Sequence, residues 1–200
     1  MGSVKLRLTG FGEALETIEK QVEEQFEKVF PTIKEYIYGY GKEELEEAIG
    51  KLLIKNSQTV SVAESCTGGY LGHQFTKVSG SSAYFMGGIL AYDNAVKINQ
   101  LSVNPETLNT FGAVSEQVVI EMSENVRKLM GTTYGLATSG IAGPNGGTID
   151  KPVGTIWIAI ATEKETITKK LTLGGFREQN VHLTTISILN LLRKICLQSK

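Results

Sequence analysis

Past residue 57 the chain alternates short β-rich runs with amphipathic helical stretches, and glycine-rich turns sit at the joints. Few folds accept that order. Residues 59–63 form a β-rich run, followed by a glycine-rich turn and a helix through about residue 77. Residues 85–92 read as a strand, with a short helix from Asn94. Ser115 is placed to cap a helix whose Val119, Met122, Val126 and Leu129 share one face. Residues 134–139 form a strand that runs into a second glycine-rich loop. Residues 153–162 and 165–172 read as a hairpin joined by Glu163-Lys164, and a closing helix spans about 177–196. Strand and helix in this order predict an α/β fold, a three-layer α/β/α sandwich with a mixed sheet.

The segment before it has another texture, rich in Glu and Lys. Residues 5–9 alternate polar and apolar, as a strand does. Leu15, Ile18, Val22, Phe26 and Val29 then draw one apolar stripe on a helix that Pro31 is expected to end. Residues 36–40 read as a short strand, which makes a small β-α-β fragment. A linker helix follows, with Leu45, Ile49, Leu52 and Leu53 on one face. The reading therefore divides the chain into a partial domain at 4–53 and the α/β domain at 54–200. Met1-Gly2-Ser3 reads as a cloning remnant, with Val4 the first natural residue of a piece cut from something longer.

Composition narrows the function classes. The net charge is −1 over 200 residues, which favours neither nucleic acid nor a membrane as a partner, while a local cationic site for one phosphate stays open. Two cysteines, Cys66 and Cys196, are too few for a disulfide framework, and no metal-ligand spacing occurs. A reducing, cytoplasmic setting without metal or organic cofactor is expected.

Four segments can carry chemistry. Ala63-Glu-Ser-Cys-Thr-Gly-Gly69 lies between a strand and a helix. It reads in two ways: as a turn that exposes amides to an anion and presents Ser65 as a nucleophile, or as a tight turn whose Thr67 caps the helix. Cys66 is the rival nucleophile, or a small buried apolar residue. Ser139-Gly-Ile-Ala-Gly-Pro-Asn-Gly-Gly-Thr148 can cradle a phosphate or an oxyanion, or be a surface loop; it is neither a Walker loop nor a dinucleotide fingerprint. Lys151 can meet an anion or simply be solvated. In the fourth segment, Tyr92 closes an apolar run and Lys97 lies about one helical turn further on. A lysine in a dry pocket loses proton affinity and can serve as a base, and a tyrosine can relay the proton. The bland alternative is a packed Tyr and a surface Lys. Only His73 and His182 are available as imidazoles, and no spacing supports a Ser–His–Asp arrangement.

Together with Gly80-Ser-Ser-Ala-Tyr-Phe85, Gly112-Ala-Val-Ser-Glu116 and Lys151-Pro-Val-Gly-Thr155, these segments resemble the C-terminal domain of the CinA family of competence/damage-inducible proteins. Residues 4–53 resemble the end of that family's middle domain. The resemblance implies a nicotinamide-nucleotide amidase, which converts nicotinamide mononucleotide and water to nicotinate mononucleotide and ammonia; the alternatives are a nucleotide-binding regulatory module with little catalysis, or an amidase for another substrate. It implies Ser65 as nucleophile and Tyr92 and Lys97 as its partners. Thr67, Gly68, Gly69, Gly140, Ala142, Gly143, Thr148 and Arg177 would then bind the substrate or stabilise its oxyanion. A homodimer or larger homo-oligomer is expected from the same likeness. The chain departs from the family pattern at one point. Many members carry a second arginine four residues after the one matched by Arg177, where this chain has Val181, with Asn180 and His182 beside it. His182 is the candidate to compensate.

Overall fold

The computed structural model describes residues 4–198, so Met1-Gly2-Ser3 lie outside the described residues. Five strands form one sheet: β1 (Val60–Glu64), β2 (Phe85–Leu90), β3 (Tyr134–Gly140), β4 (Thr155–Ala161) and β5 (Thr166–Thr172). Their spatial order is β2-β1-β3-β4-β5. β2, β1 and β3 run parallel, and β4 pairs antiparallel with both β3 and β5, so the sheet is mixed as expected. Every residue of β1 is buried. A strand covered on both faces has no solvent side, which is why Val60-Ser-Val-Ala-Glu64 lacks a polar/apolar alternation.

Helices cover both faces. On one side lie α2 (Leu45–Lys55), α3 (Tyr70–Thr76) and α7 (Arg177–Gln198). Their Leu45, Ile49, Leu53, Leu71, Phe75, Ile188 and Leu192 pack with Val62, Leu136 and Ile158 of the sheet. On the other lie α4 (Asn94–Leu101), α5 (Pro105–Phe111) and α6 (Glu116–Met130). There Leu101, Leu108, Val119, Met122 and Val126 pack on Ala63, Ala137 and Ala159. The small strand residues on this face let α6 approach closely. At Gly135 a Cβ would run into the Ser123 carbonyl of α6. Ser115 caps α6 as the sequence predicts, accepting from the Val118 amide at 3.4 Å.

The N-terminal expectations change. No strand forms over residues 5–9 or 36–40, so the fragment is not β-α-β. Those runs find no sheet partner, and an isolated strand pair is marginal in water. Val4, Leu6 and Phe11 stay exposed instead. α1 (Leu15–Ile33) forms, but it carries Pro31 inside its last turn rather than ending there. α2, read as a linker, buries Leu45, Ile49 and Leu53 in the core beside α7. The composition shift near residue 57 thus marks where the sheet begins, not where the packed unit begins. α5 was not anticipated. Its signal is Asn104-Pro105, a capping side chain followed by a proline at the first helical position.

Candidate active site

The parallel strands place their carboxyl ends together. From β1 the chain leaves toward β2, whereas from β3 it leaves toward β4, on the opposite side. Connections that diverge from adjacent strands open a crevice at the strand ends. The turn after β1, carrying Ser65, forms one wall and the loop after β3 the other. The Ser65 amide donates to the Thr138 carbonyl of β3 at 3.0 Å, which ties the turn to the neighbouring strand.

The β1–α3 turn is organised by Glu64, a residue the sequence reading passed over. Its carboxylate is buried, at 2% exposure. It accepts from the Thr67 hydroxyl at 2.6 Å and from the amides of Gly69 at 3.0 Å, Leu71 at 3.0 Å and Gly72 at 2.7 Å. The first amides of a helix lack intrahelical partners and favour negative charge. Here the chain supplies that charge itself. Two expectations are corrected by this. The α3 N-terminus is filled from within rather than open to a ligand anion. Thr67 also does not cap the helix, because its hydroxyl is engaged with Glu64 and, at 2.8 Å, with Thr138. Gly69 is needed where it stands, since the turn requires φ of +96° there.

After β2, beside the Ser65 turn, Asp93 caps α4 by accepting from the Ala95 amide at 2.7 Å. That fixes the helix start so that Lys97 turns back beneath the end of β2. Lys97 is 1% exposed, and its Nζ donates to the carbonyls of Ala91 at 2.8 Å and Tyr92 at 3.1 Å. The reading of Lys97 as a surface residue is excluded. Burial pulls its pKa below the usual lysine value of 10.5, and Asp93 only partly offsets this. Tyr92 is exposed, and its hydroxyl accepts from Arg177 Nη2 at 3.2 Å. Arg177 Nη1 in turn donates to the Gly143 carbonyl at 2.8 Å.

Ser65, Tyr92, Lys97, Gly140, Ala142 and Arg177 all line one cleft of about 180 Å³. Cys66, Asn94 and Ser139 line it too. Of the other residues singled out in the sequence, Gly143 reaches the cleft only through its carbonyl on Arg177. Thr67 is buried behind the turn, and the Gly68 and Gly69 amides donate to Ser65 O and Glu64. Thr148 stays in the exposed outer loop, where its amide meets the Lys151 carbonyl. Lys151 donates to the Phe111 carbonyl at 2.8 Å and binds no catalytic group. His182 Nδ1 lies 3.3 Å from the Tyr70 hydroxyl and does not line the cleft, and Val181 packs on the core. Val181 is no cation, and neither residue lines the cleft beside Arg177.

Asn180 is the other residue missed in the sequence. It is fully buried and donates Nδ2 to the carbonyls of Ala142 at 3.0 Å and Gly175 at 2.9 Å. It thereby ties the loop after β3 to the start of α7. A polar residue three positions beyond Arg177 was visible, but nothing in its spacing announced what it would hold.

Cys66 is 5% exposed, and burial pushes its thiol up to about 12. Cys196 is likewise buried and pushed up to about 11. Both thiols are protonated near neutral pH, and thiolate is the reactive form. Iodoacetamide at pH 7.5 should therefore alkylate neither cysteine of the native protein at more than about a hundredth of the free-cysteine rate. Mass spectrometry after timed quenching checks this, and rapid single labelling at Cys66 would contradict it.

Comparison with known proteins places the chain. The family model described as CinA C-terminal domain matches residues 42–196. A CinA-like protein of Cytophaga hutchinsonii is 49% identical over 96% of the chain, which corresponds to 46% of that relative. One from Amoebophilus asiaticus is 47% identical over 97% of the chain and 47% of its own length. The chain thus spans about half the length of the curated relatives it matches. Among solved structures, the competence damage-inducible protein A of Klebsiella pneumoniae superposes with a TM-score of 0.76 at 33% identity. That match covers 78% of this chain and 97% of the other. The competence/damage inducible protein CihA of Agrobacterium tumefaciens gives a TM-score of 0.71 at 31% identity, over 78% of this chain and 98% of that one. The family model covers most of the chain and the relatives match nearly all of it, and the chain belongs to the CinA family of competence/damage-inducible proteins.

Proposed function

We propose that the protein is an amidohydrolase that converts nicotinamide mononucleotide and water to nicotinate mononucleotide and ammonia. The observation that carries this reading is Lys97: a buried lysine held by two carbonyls on the wall of the cleft that Ser65 also lines. A neutral amine has two hydrogens and one lone pair. Ala91 O and Tyr92 O take the hydrogens, which leaves the lone pair free to accept a proton.

In this scheme Lys97 takes the Ser65 proton, directly or through the Tyr92 hydroxyl. Because that hydroxyl accepts from Arg177, its own hydrogen is free to donate. Ser65 Oγ bonds to the carboxamide carbon, and the carbonyl electrons move to oxygen. The Gly68 and Gly69 amides are already engaged, so the oxyanion falls to the amide of Cys66, which lines the cleft and meets no backbone carbonyl among the described residues. Donors of this kind contribute about two to three orders of magnitude in rate. The C–N bond then breaks, ammonia leaves with the proton from Lys97, and water hydrolyses the ester on Ser65.

A cleft of about 180 Å³ suits a pyridine carboxamide ring but not a whole nucleotide. Ribose and phosphate would lie along its rim, toward Gly140, Ala142 and Arg177. Arg177 makes two hydrogen bonds and has five N–H groups, which leaves donors for a phosphate. Ammonia release should therefore rank the mononucleotide above the riboside and the riboside above nicotinamide. Arg177→Ala should raise KM for the mononucleotide by about tenfold or more, with a smaller change in kcat. Equal turnover of all three compounds would instead favour an amidase for an unphosphorylated substrate. The packing of Val181 on the core, where a second cation would otherwise stand, gives that second reading its support.

A further inference from the structure

A second charged cleft shares no lining residue with the Ser65 cleft. It has a volume of about 400 Å³ and is enclosed by the α1–α2 connection, α2 and the C-terminal half of α7. Arg193 forms its floor. This residue is 3% exposed and its guanidinium has no carboxylate partner among the described residues. It donates to Asn190 Oδ1 at 3.1 Å, Ile37 O at 3.1 Å and Glu35 O at 2.8 Å, all neutral acceptors. Three bonds leave two of its five N–H groups without a partner among the described residues. A buried cation ordinarily sits with an opposite charge, because desolvation is costly without one. Burial indeed lowers the Arg193 pKa from its usual value, with no neighbouring anion to offset it.

The rim adds charge of the same sign. Lys34, Lys51 and Lys55 line the cleft together with Glu35 and Glu43. Glu43 is spent on Lys51 at 2.5 Å. Lys34 and Lys55 form no ion pair among the described residues. Four cations face two carboxylates, so the cleft has an excess of two positive charges in a chain whose net charge is −1. Tyr38, Leu52 and Leu197 supply an apolar side. The volume lies within the range of small-molecule sites, about 300–1,000 Å³.

We propose that this cleft is a second binding site, one that takes a small phosphate monoester with an apolar or aromatic body. The phosphate dianion would be held by Arg193, Lys34 and Lys55, and the body would rest on Tyr38, Leu52 and Leu197. A dianion matches the charge excess, and the planar guanidinium fork matches phosphate oxygens. The site does not depend on the amidase reading, because it shares no residue with the Ser65 cleft.

The test is isothermal titration calorimetry of phenyl phosphate, with phenol as the uncharged control. The Arg177→Ala protein removes the cation of the Ser65 cleft and isolates the second site. It should still bind one equivalent of phenyl phosphate, more weakly as salt rises, and should not bind phenol. Adding Lys34→Gln and Lys55→Gln should weaken that binding by at least about tenfold. Both lysines are exposed, so the fold is kept, as an unchanged melting curve would show. In the otherwise unchanged chain the same pair of substitutions should leave ammonia release unaltered. Absence of binding in Arg177→Ala, or binding indifferent to the lysine pair, would overturn the proposal.

Discussion

Lys97→Arg is expected to lose about two to four orders of magnitude in kcat/KM for nicotinamide mononucleotide, the range associated with removing a general base. Arginine carries a charge where the base must be neutral and cannot surrender it, since a guanidinium stays protonated in proteins. Arginine is also larger, and the site is 1% exposed, so a misfolded variant would imitate a chemical defect. Lys97→Met separates the two. Methionine approximates the stem of lysine, has no proton to exchange and removes a buried amine. It should stay folded and be as inactive as Lys97→Arg. The parent enzyme adds the sign. The base works only when neutral, so kcat/KM should rise with pH through the Lys97 pKa. Burial places that midpoint below the ordinary value of 10.5. A pH profile that is flat from 6 to 10, or a Lys97→Met protein with more than about a tenth of parental activity, would contradict the role.

Glu64→Leu is expected to lower stability by about 3–5 kcal/mol, the cost of leaving buried donors without an acceptor. The carboxylate takes four hydrogen bonds at the head of α3, and leucine takes none. For a chain of this length the melting midpoint should fall by about 6–20 °C. Glu64→Gln keeps the shape but has a single acceptor oxygen and sets an NH₂ group against amide donors, so it should fall between the two. Because the same carboxylate holds the turn that presents Ser65, Glu64→Gln should also lose kcat more than it alters KM. Differential scanning calorimetry checks the first effect and steady-state kinetics the second. A Glu64→Leu protein melting within about 2 °C of the parent would show that water or a rearranged turn replaces the carboxylate.

The sheet and its flanking helices were legible because burial writes itself into periodicity. The Val119, Met122 and Val126 stripe and the 155–172 hairpin emerged where local pattern placed them. The N-terminal strands failed for a reason no local pattern contains: residues 5–9 alternate correctly, but no sheet edge is there to receive them. Likewise Ser65, Tyr92, Lys97 and Arg177 carried recognisable chemistry, and the fold brings them to one cleft. Glu64 and Asn180 did not. Their work consists of hydrogen bonds to backbone atoms as far apart as Glu64 and Gly72, or Asn180 and Ala142, which only the folded chain brings within reach. Of the two readings open for the turn, the Thr67 cap fails for the same reason, since a hydroxyl beside a helix start looks like a cap until the nearby carboxylate is seen.

The amidase account rests on Ser65, whose hydroxyl makes no hydrogen bond among the described residues, so its removal should leave the fold intact. The direct measurement is ammonia release from nicotinamide mononucleotide without added metal, by the parent protein and by Ser65→Ala at matched melting temperature. Steady release by the parent and a loss of at least about a thousandfold in the variant is the predicted result. Turnover that survives in Ser65→Ala, or a folded parent that binds the nucleotide and releases no ammonia, would contradict it.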